Sequence, residues 1–357
     1  MRSPLVDLLV GPHGIDRYLE LLRPDLTVRD ARAEVLSIRR QTARSVTLTL
    51  RPNASWSGFR AGQFVRVGVE IGGVRRTRTY SPAGCEHRPD GLLELTVTAH
   101  PDGLVSRHLL SELAPGAVVH LGAAQGELAL PRTRPQRLVL VSGGSGVTPL
   151  MSILRTLSAE QHAGEIVFLH YARTAGDWLY RAEAQALAHA NASIRVAYVA
   201  TREGGARLSA DTLRSLAGEL DGAHGAVCGP PALIAAMRSA WAALQGKREL
   251  LLAETFTAPQ PTLPGPATTA AAAAAGTIRF LRSERDAAIC EGSLLEQAEA
   301  AGLSPRFGCR MGICHTCTCR KATGAVRNVL TGELSEEEDE VIQLCVSIPA
   351  GDVALEI

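Results

Sequence analysis

At 357 residues, with 46% hydrophobic and 20% charged residues, the chain is too long for one ordinary core and too apolar to stay unfolded. Two or three globular domains are expected. A formal net charge of +1 supplies no field that would draw a nucleic acid.

The opening Met1-Arg-Ser-Pro-Leu5 has no long apolar run ahead of a small-residue cleavage site, so a cytoplasmic protein is expected, peripheral at a membrane only through a partner. Residues 1–32 place Leu5, Leu8, Leu9, Ile15, Tyr18, Leu19 and Leu22 at helical spacing, interrupted by Pro12 and Gly14. This segment reads as a helical extension packing on the next domain; the alternative is a docking surface for a partner or membrane.

Residues 33–133 carry short alternating runs separated by Gly and Pro clusters: Ala33–Ile38, Ser45–Leu50, Gln63–Val69, Leu93–Thr98 and Ala117–Leu121. These predict an antiparallel barrel or sandwich. Asp102–Leu110 reads as a short helix after a glycine turn. From 134 to 257 the texture changes. Leu138–Val141 is a continuous apolar strand entering Ser142-Gly-Gly-Ser-Gly-Val-Thr-Pro149 and a helical stretch to Leu157. Ile166–His170, Ile194–Val199 and Gly225–Cys228 add strands with helices between, which means a doubly wound parallel sheet. Residues 258–276 are Pro- and Ala-rich, uncharged and aperiodic, a linker to a last domain, 277–357. The alanines at 270–275 are far too short a run to span a bilayer.

The last domain contains Cys309, Cys314, Cys317 and Cys345 in the spacing C-x4-C-x2-C-x27-C. A tight loop giving three thiolates and a distant fourth is the arrangement that ligates a plant-type [2Fe-2S] cluster. Gly308 and Gly312 relieve the loop sterically, and its amides can donate to the sulfurs. A structural zinc site is the alternative, though zinc favours paired short spacings. A disulfide set needs an oxidising compartment. Cys85, Cys228, Cys290 and Cys319 remain, most of them expected to be plain buried residues. Ser335 and the acidic run Glu336–Glu340 predict a helix start with Ser335 and Glu338 as a capping box; partner docking is the other reading. Residues 277–357 hold 8 Lys/Arg against 13 Asp/Glu, a net of −5, leaving +6 on residues 1–276. That asymmetry suits docking between electron carriers, and equally plain solubility.

Several stretches resemble one family. Gly62-Gln63-Phe64 with Arg78-Thr79-Tyr80-Ser81 resembles the flavin-binding barrel of ferredoxin–NADP reductases. Gly144–Pro149 resembles their nicotinamide-domain loop, Cys228-Gly229-Pro230-Pro231 their sheet-end motif, and the tail a plant-type ferredoxin. The order of the three resembles phthalate dioxygenase reductase and related one-chain reductases. With Pro12-His-Gly-Ile-Asp-Arg-Tyr18 included, the likeness is nearest to the reductases that feed acyl-CoA desaturases. The resemblance implies an antiparallel flavin barrel, an α/β nucleotide domain and an α+β, β-grasp ferredoxin domain.

It also implies site residues. Arg78 would pair with a flavin phosphate, Thr79 and Val97 would line the flavin, Tyr80 would lie against its ring and Ser81 would bond near the reacting nitrogen. Gly103, Leu104, Val105 and Ser106 would present a helix start to the pyrophosphate. Gly143, Gly144, Ser145, Gly146, Thr148 and Pro149 would approach the pyridine nucleotide, with Cys228, Gly229 and Pro230 beside the nicotinamide. Pro149 departs from the strict Rossmann glycine pattern. Thr201 and Arg202, with Arg173, would hold a 2′-phosphate, and Phe256 would sit near the flavin. FAD is expected over FMN, and NADPH over NADH. His315 stands where such ferredoxins carry a small residue, which puts the cluster's potential in doubt. The implied activity is an NADPH-driven relay through flavin and cluster to an acceptor, foremost a fatty acyl desaturase; a ring-hydroxylating dioxygenase or other monooxygenase is the alternative. A redox-sensing binding module is the rival of another class.

Overall fold

A computed structural model describes residues 27, 30–101, 103–256, 276–290, 292–307, 312, 316–329 and 332–357. The expected N-terminal helix and nearly all of the expected linker lie outside the described residues, as do Cys309, Cys314 and His315. The chain divides into two compact units between Phe256 and Thr257. No helix among the described residues is long and apolar enough to cross a membrane.

The first unit begins with six antiparallel strands: β1 (Arg32–Thr42), β2 (Ser45–Pro52), β3 (Val65–Ile71), β4 (Val74–Tyr80), β5 (Leu93–Thr98) and β6 (Val118–Leu121). They are ordered β4-β3-β6-β1-β2-β5. A bridge between Pro82 and Leu95, with Ala83 N–H donating to the Glu94 carbonyl at 2.9 Å, joins the two edges and closes the barrel. Period-two alternation puts Val35, Leu48, Leu50, Val65, Val67, Leu93, Leu95 and Val97 inside it. The β3–β4 hairpin turns on Gly72 and Gly73, at φ +58° and +74°. Two successive positive φ angles are what the tight two-residue hairpin needs. Phe64, expected at the start of a strand, pairs in a β-bridge with Gln125 just ahead of β3, while Gln63 lies outside any strand. In the turn before them Gly62, at φ +94°, leaves no room for a side chain: a Cβ would stand 2.2 Å from the Leu128 carbonyl oxygen. Helix α1 (Leu104–Ser111) packs on β3, β4 and β5.

Five parallel strands follow: β7 (Arg137–Gly143), β8 (Glu165–Ala172), β9 (Ile194–Ala200), β10 (His224–Cys228) and β11 (Leu251–Glu254), ordered β11-β10-β7-β8-β9. Both faces are apolar, as a parallel sheet covered on each side requires. Helices α2 (Val147–Ala159), α3 (Arg181–Ala190), α4 (Ala210–Ala217) and α5 (Pro231–Ala243) connect the strands. Strand order reverses between β7 and β10, which opens a crevice at their carboxyl ends.

Arg155 of α2 ties this sheet to the barrel. Its Nη1 donates to Glu94 at 2.8 Å and to the Ala83 carbonyl at 2.7 Å, while Nε and Nη2 fork onto Glu183 at 2.6 and 2.7 Å. The guanidinium also lies 5.0 Å over the Tyr180 ring, whose hydroxyl bonds Thr96 of the barrel. Those contacts hold Tyr180 at φ +58°, a strained setting for an aromatic residue.

The second unit is a mixed sheet of β12 (Thr277–Phe280), β13 (Arg285–Ala288), β14 (Thr318–Asn328), β15 (Leu334–Ser335), β16 (Glu340–Gln343) and β17 (Ser347–Leu355), with helix α6 (Leu294–Ala300) packed on it. Strands β12 and β17 are parallel, the rest antiparallel, which is the β-grasp arrangement. The capping box belongs to Ser293 and Glu296 at the start of α6. The helix expected after Ser335 is not formed: residues 336–339 are a loop, and β16 pairs antiparallel with β14. The β-branched Val341-Ile342 favours pairing, and Ile342 is buried in the core while Ser335 bonds Glu340 and the buried Lys321. That burial outweighs the local preference of four acidic residues for a helix start.

Candidate functional site

The barrel presents Arg78, Thr79 and Tyr80 along edge strand β4, with Arg78 exposed and its Nη1 donating to the Thr77 carbonyl at 2.8 Å. Burial pushes the Tyr80 phenol above its ordinary value, with Arg78 pulling weakly the other way. Ser81 is 1% exposed, and its hydroxyl has no partner. A buried hydroxyl left unpaired costs about 1–3 kcal/mol, so a polar group docked there would recover it. At the start of α1, Leu104 is 52% exposed, an apolar surface fit for a flat ring system. Ser106 Oγ accepts from the His100 amide and donates to the Gly103 carbonyl, both at 3.2 Å. Val97 and Val105 point into the barrel core, so neither offers its side chain to a ligand.

The second part lies at the crevice between β7 and β10. Gly143 ends β7 and Cys228 ends β10. A Cβ on Gly146 would stand 2.2 Å from the Cys228 carbonyl oxygen, and one on Gly143 2.8 Å from Pro230 and Leu233. Gly144, at φ +57°, has open space before it. Thr148 Oγ1 donates to the Ser145 carbonyl at 3.1 Å. Pro149 falls in the first turn of α2, where its missing N–H costs nothing. In register across the sheet, Glu254 neighbours Cys228 and Cys228 neighbours Ser142.

Burial holds the Cys228 thiol well above its ordinary value, with Glu254 adding to the effect. Glu254 itself is 9% exposed with both oxygens unpartnered, and burial pushes its carboxyl up to about 8. At neutral pH both are therefore protonated and uncharged. The folded chain then holds a proton that the unfolded chain releases above about pH 4.5. The stability contributed by this group is present below that pH and declines as pH rises toward 8, by up to ~4 kcal/mol. Urea unfolding at a series of pH values should show this slope in the wild type and its loss in Glu254→Gln.

Beyond β8 and β9 two loops are laced together. Thr201 donates to the Ala172 carbonyl from N–H at 3.0 Å and Oγ1 at 3.2 Å, and Arg202 N–H donates to the Arg173 carbonyl at 2.9 Å. The backbone thus gathers Arg173, Thr201 and Arg202 at one strand tip, with both arginines exposed. Glu203, not singled out by the sequence reading, accepts from the Ala175 amide at 3.2 Å. Phe256 packs, partly buried, at the margin of the core on one face of the sheet.

In the second unit, Cys317 precedes β14 and Cys345 sits in the turn between β16 and β17, tied by Leu344 N–H donating to the Cys317 carbonyl at 3.1 Å. Both sulfurs are buried, 3.2 Å apart, and Gly312 N–H donates to Cys345 Sγ at 3.3 Å. Two thiolates on one tetrahedral ion at 2.3 Å would lie ~3.8 Å apart, so the pair fits a shared metal with a small adjustment. Among the other described cysteines only Cys228 is buried. Cys85 and Cys319 are half-buried and Cys290 is exposed, against expectation, because it follows edge strand β13. Burial raises Cys319 to about 11, which keeps it a thiol.

Residues 34–129 match the oxidoreductase FAD-binding domain family, residues 140–239 the oxidoreductase NAD-binding domain family and residues 282–350 the 2Fe-2S iron-sulfur cluster binding domain family. An NADPH oxidoreductase of Mycobacterium tuberculosis is 34% identical over 96% of this chain and 88% of its own length. The chain belongs to the one-chain flavin and [2Fe-2S] reductases of the ferredoxin–NADP reductase superfamily. The stachydrine N-demethylase reductase subunit of Rhizobium meliloti is 27% identical over 85% of the chain and 90% of its own. Phthalate dioxygenase reductase shares the fold, with a TM-score of 0.63 at 20% identity over 91% of this chain and 97% of that one.

The protein is thus an NAD(P)H-dependent oxidoreductase with FAD and a [2Fe-2S] cluster. Those groups supply hydride acceptance and one-electron transfer when bound. What this reductase itself supplies is shape and polarity: an unpaired Ser81 hydroxyl, an uncharged Cys228–Glu254 pair that adds no charge to the crevice, and a buried Cys317–Cys345 pair.

Proposed function

We propose that this reductase takes electrons from NADPH and delivers them to an oxygen-activating partner, with a fatty acyl desaturase as the terminal acceptor. What supports the desaturase reading is the resemblance of the Pro12–Tyr18 segment to the reductases that feed acyl-CoA desaturases. What supports NADPH as donor is the likeness to the NADPH oxidoreductase, whose alignment, at 96% of the chain, also reaches into residues 1–32. The second reading, a reductase for a ring-hydroxylating dioxygenase or another monooxygenase, is supported by the names of those subunits and of phthalate dioxygenase reductase. Reconstitution decides between them: purified reductase, NADPH and oxygen with a candidate desaturase and an acyl substrate should yield an unsaturated product. Turnover with an oxygenase component alone would favour the second reading.

In the same proposal Arg78, Thr79, Tyr80 and Ser81 serve the flavin, Gly143–Gly146 and Cys228 the nicotinamide, and Cys309, Cys314, Cys317 and Cys345 the cluster. Arg173, Thr201 and Arg202 serve the 2′-phosphate, a role supported by two guanidinium groups at one strand tip. Arg202→Ala should raise the KM for NADPH at least tenfold and leave that for NADH within about twofold, measured by ferricyanide reduction. Equal effects on both nucleotides would remove Arg202 from the 2′-phosphate site.

A further inference from the structure

Five polar side chains form one row across the carboxyl end of the parallel sheet: Glu254, Cys228, Ser142, His170 and Tyr198, each in register with the next. The row before it on this face is apolar: Leu252, Ala226, Leu140, Phe168 and Val196. His170 is the unexpected member. It is completely buried, burial pushes it down to about 3, and its Nε2 has no partner. A leucine would fill this place without the cost of an unpaired buried nitrogen, about 1–3 kcal/mol. Being uncharged, the imidazole cannot serve as a counter-ion for phosphate; what remains to it is direction.

Its contacts reach the strands on both sides of β8. Nδ1 lies 2.8 Å from Ser142 Oγ, which also approaches the Leu169 carbonyl at 3.4 Å. A proton on Nδ1 satisfies both contacts, with His170 donating to Ser142 and Ser142 donating to Leu169. Ser142 is followed directly by Gly143–Gly146. On the other side, the ring meets Tyr198 edge-on at 5.2 Å. Tyr198 donates to the Leu179 carbonyl at 3.0 Å and packs against Trp178 at 5.7 Å. Two residues beyond His170, the Ala172 carbonyl receives Thr201. The strand carrying His170 therefore stands between the glycine loop and the paired arginine loops.

We infer that His170 is a positioning residue for the pyridine nucleotide, fixing the end of β7 through Ser142 so that Gly143–Gly146 meets the nucleotide in one geometry. The inference rests on reading Gly143–Gly146 as the nucleotide loop. The bond that matters is the one from Nδ1. Asparagine can reproduce that donor, glutamine reaches only toward Nε2, and phenylalanine keeps the ring and loses both.

The test is steady-state ferricyanide reduction by the full-length flavin-loaded protein. His170→Phe should raise the KM for NADPH about tenfold with kcat within twofold. His170→Asn should return KM to within about twofold of wild type, and His170→Gln should behave like the phenylalanine variant. An unchanged KM in His170→Phe, or equal impairment in the asparagine and phenylalanine variants, overturns the inference. Should His170→Phe not fold, the asparagine–glutamine pair decides alone, equal KM values overturning it. Gly144→Val, which puts a side chain into the open space before the loop, checks the underlying reading. If it leaves KM unmoved, the loop is not the nucleotide site; if it raises KM while His170→Phe does not, only the inference about His170 falls.

Discussion

Cys345→Ser should abolish cytochrome c reduction by NADPH, by a hundredfold or more, while ferricyanide reduction stays within about threefold of wild type. Cys345 and Cys317 hold their sulfurs 3.2 Å apart in a buried turn, with the Gly312 amide aimed at Cys345. A serine oxygen is a harder, shorter ligand and does not replace a thiolate at a soft iron–sulfur centre. The residues of the barrel and parallel sheet belong to a separate compact unit, so the lesion leaves them intact. The measurement is paired: one-electron output to cytochrome c, and flavin bleaching on mixing with NADPH without oxygen. Loss of bleaching in a folded, flavin-loaded variant would show that the order of the relay is wrong.

Gly146→Ala should reduce the rate of flavin bleaching by NADPH at least a hundredfold, in stopped-flow, without removing the flavin. The added carbon would lie 2.2 Å from the carbonyl oxygen and 2.5 Å from the carbonyl carbon of Cys228, and neither belongs to a flexible side chain. Either β10 or the start of α2 must retreat by close to an ångström. A displacement of that size at a reacting centre costs on the order of a hundredfold. Gly144→Ala is the internal comparison: its Cβ meets no protein atom, so it leaves the spacing of α2 and β10 intact and acts only through the positive φ and the space before the loop. Equal effects of the two alanines would show that the spacing between α2 and β10 is not what governs hydride delivery.

The sequence made legible whatever is local. Four cysteines at fixed spacing, a glycine cluster after an apolar strand and a change of hydrophobic period each lie within a few dozen residues. The Gly72-Gly73 turn and the Ser293–Glu296 capping box are equally local signals, each contained in a few consecutive residues. The run Glu336–Glu340 failed for a different reason. Its composition favours a helix start, but its partner strand β14 begins about twenty residues earlier, and pairing at that range is invisible to a local pattern. Glu254 and His170 illustrate a third limit. A glutamate or histidine in an apolar strand shows neither its burial nor an unsatisfied nitrogen or oxygen until neighbouring strands are in register.

The Arg155 clamp constrains protein engineering. Its guanidinium reads Glu94 and the Ala83 carbonyl on the barrel and Glu183 on the nucleotide side, with Arg134 making a parallel span from Glu160 to Glu86. A chimera that imports another protein's pyridine-nucleotide module at the boundary near residue 134 would take Arg155 from Glu94 and Arg134 from Glu86, leaving Glu94 only Arg88 at 3.6 Å. Interchangeable parts in this architecture must therefore be cut with these seam residues matched in advance, and the graft is an exchange of two complementary edges.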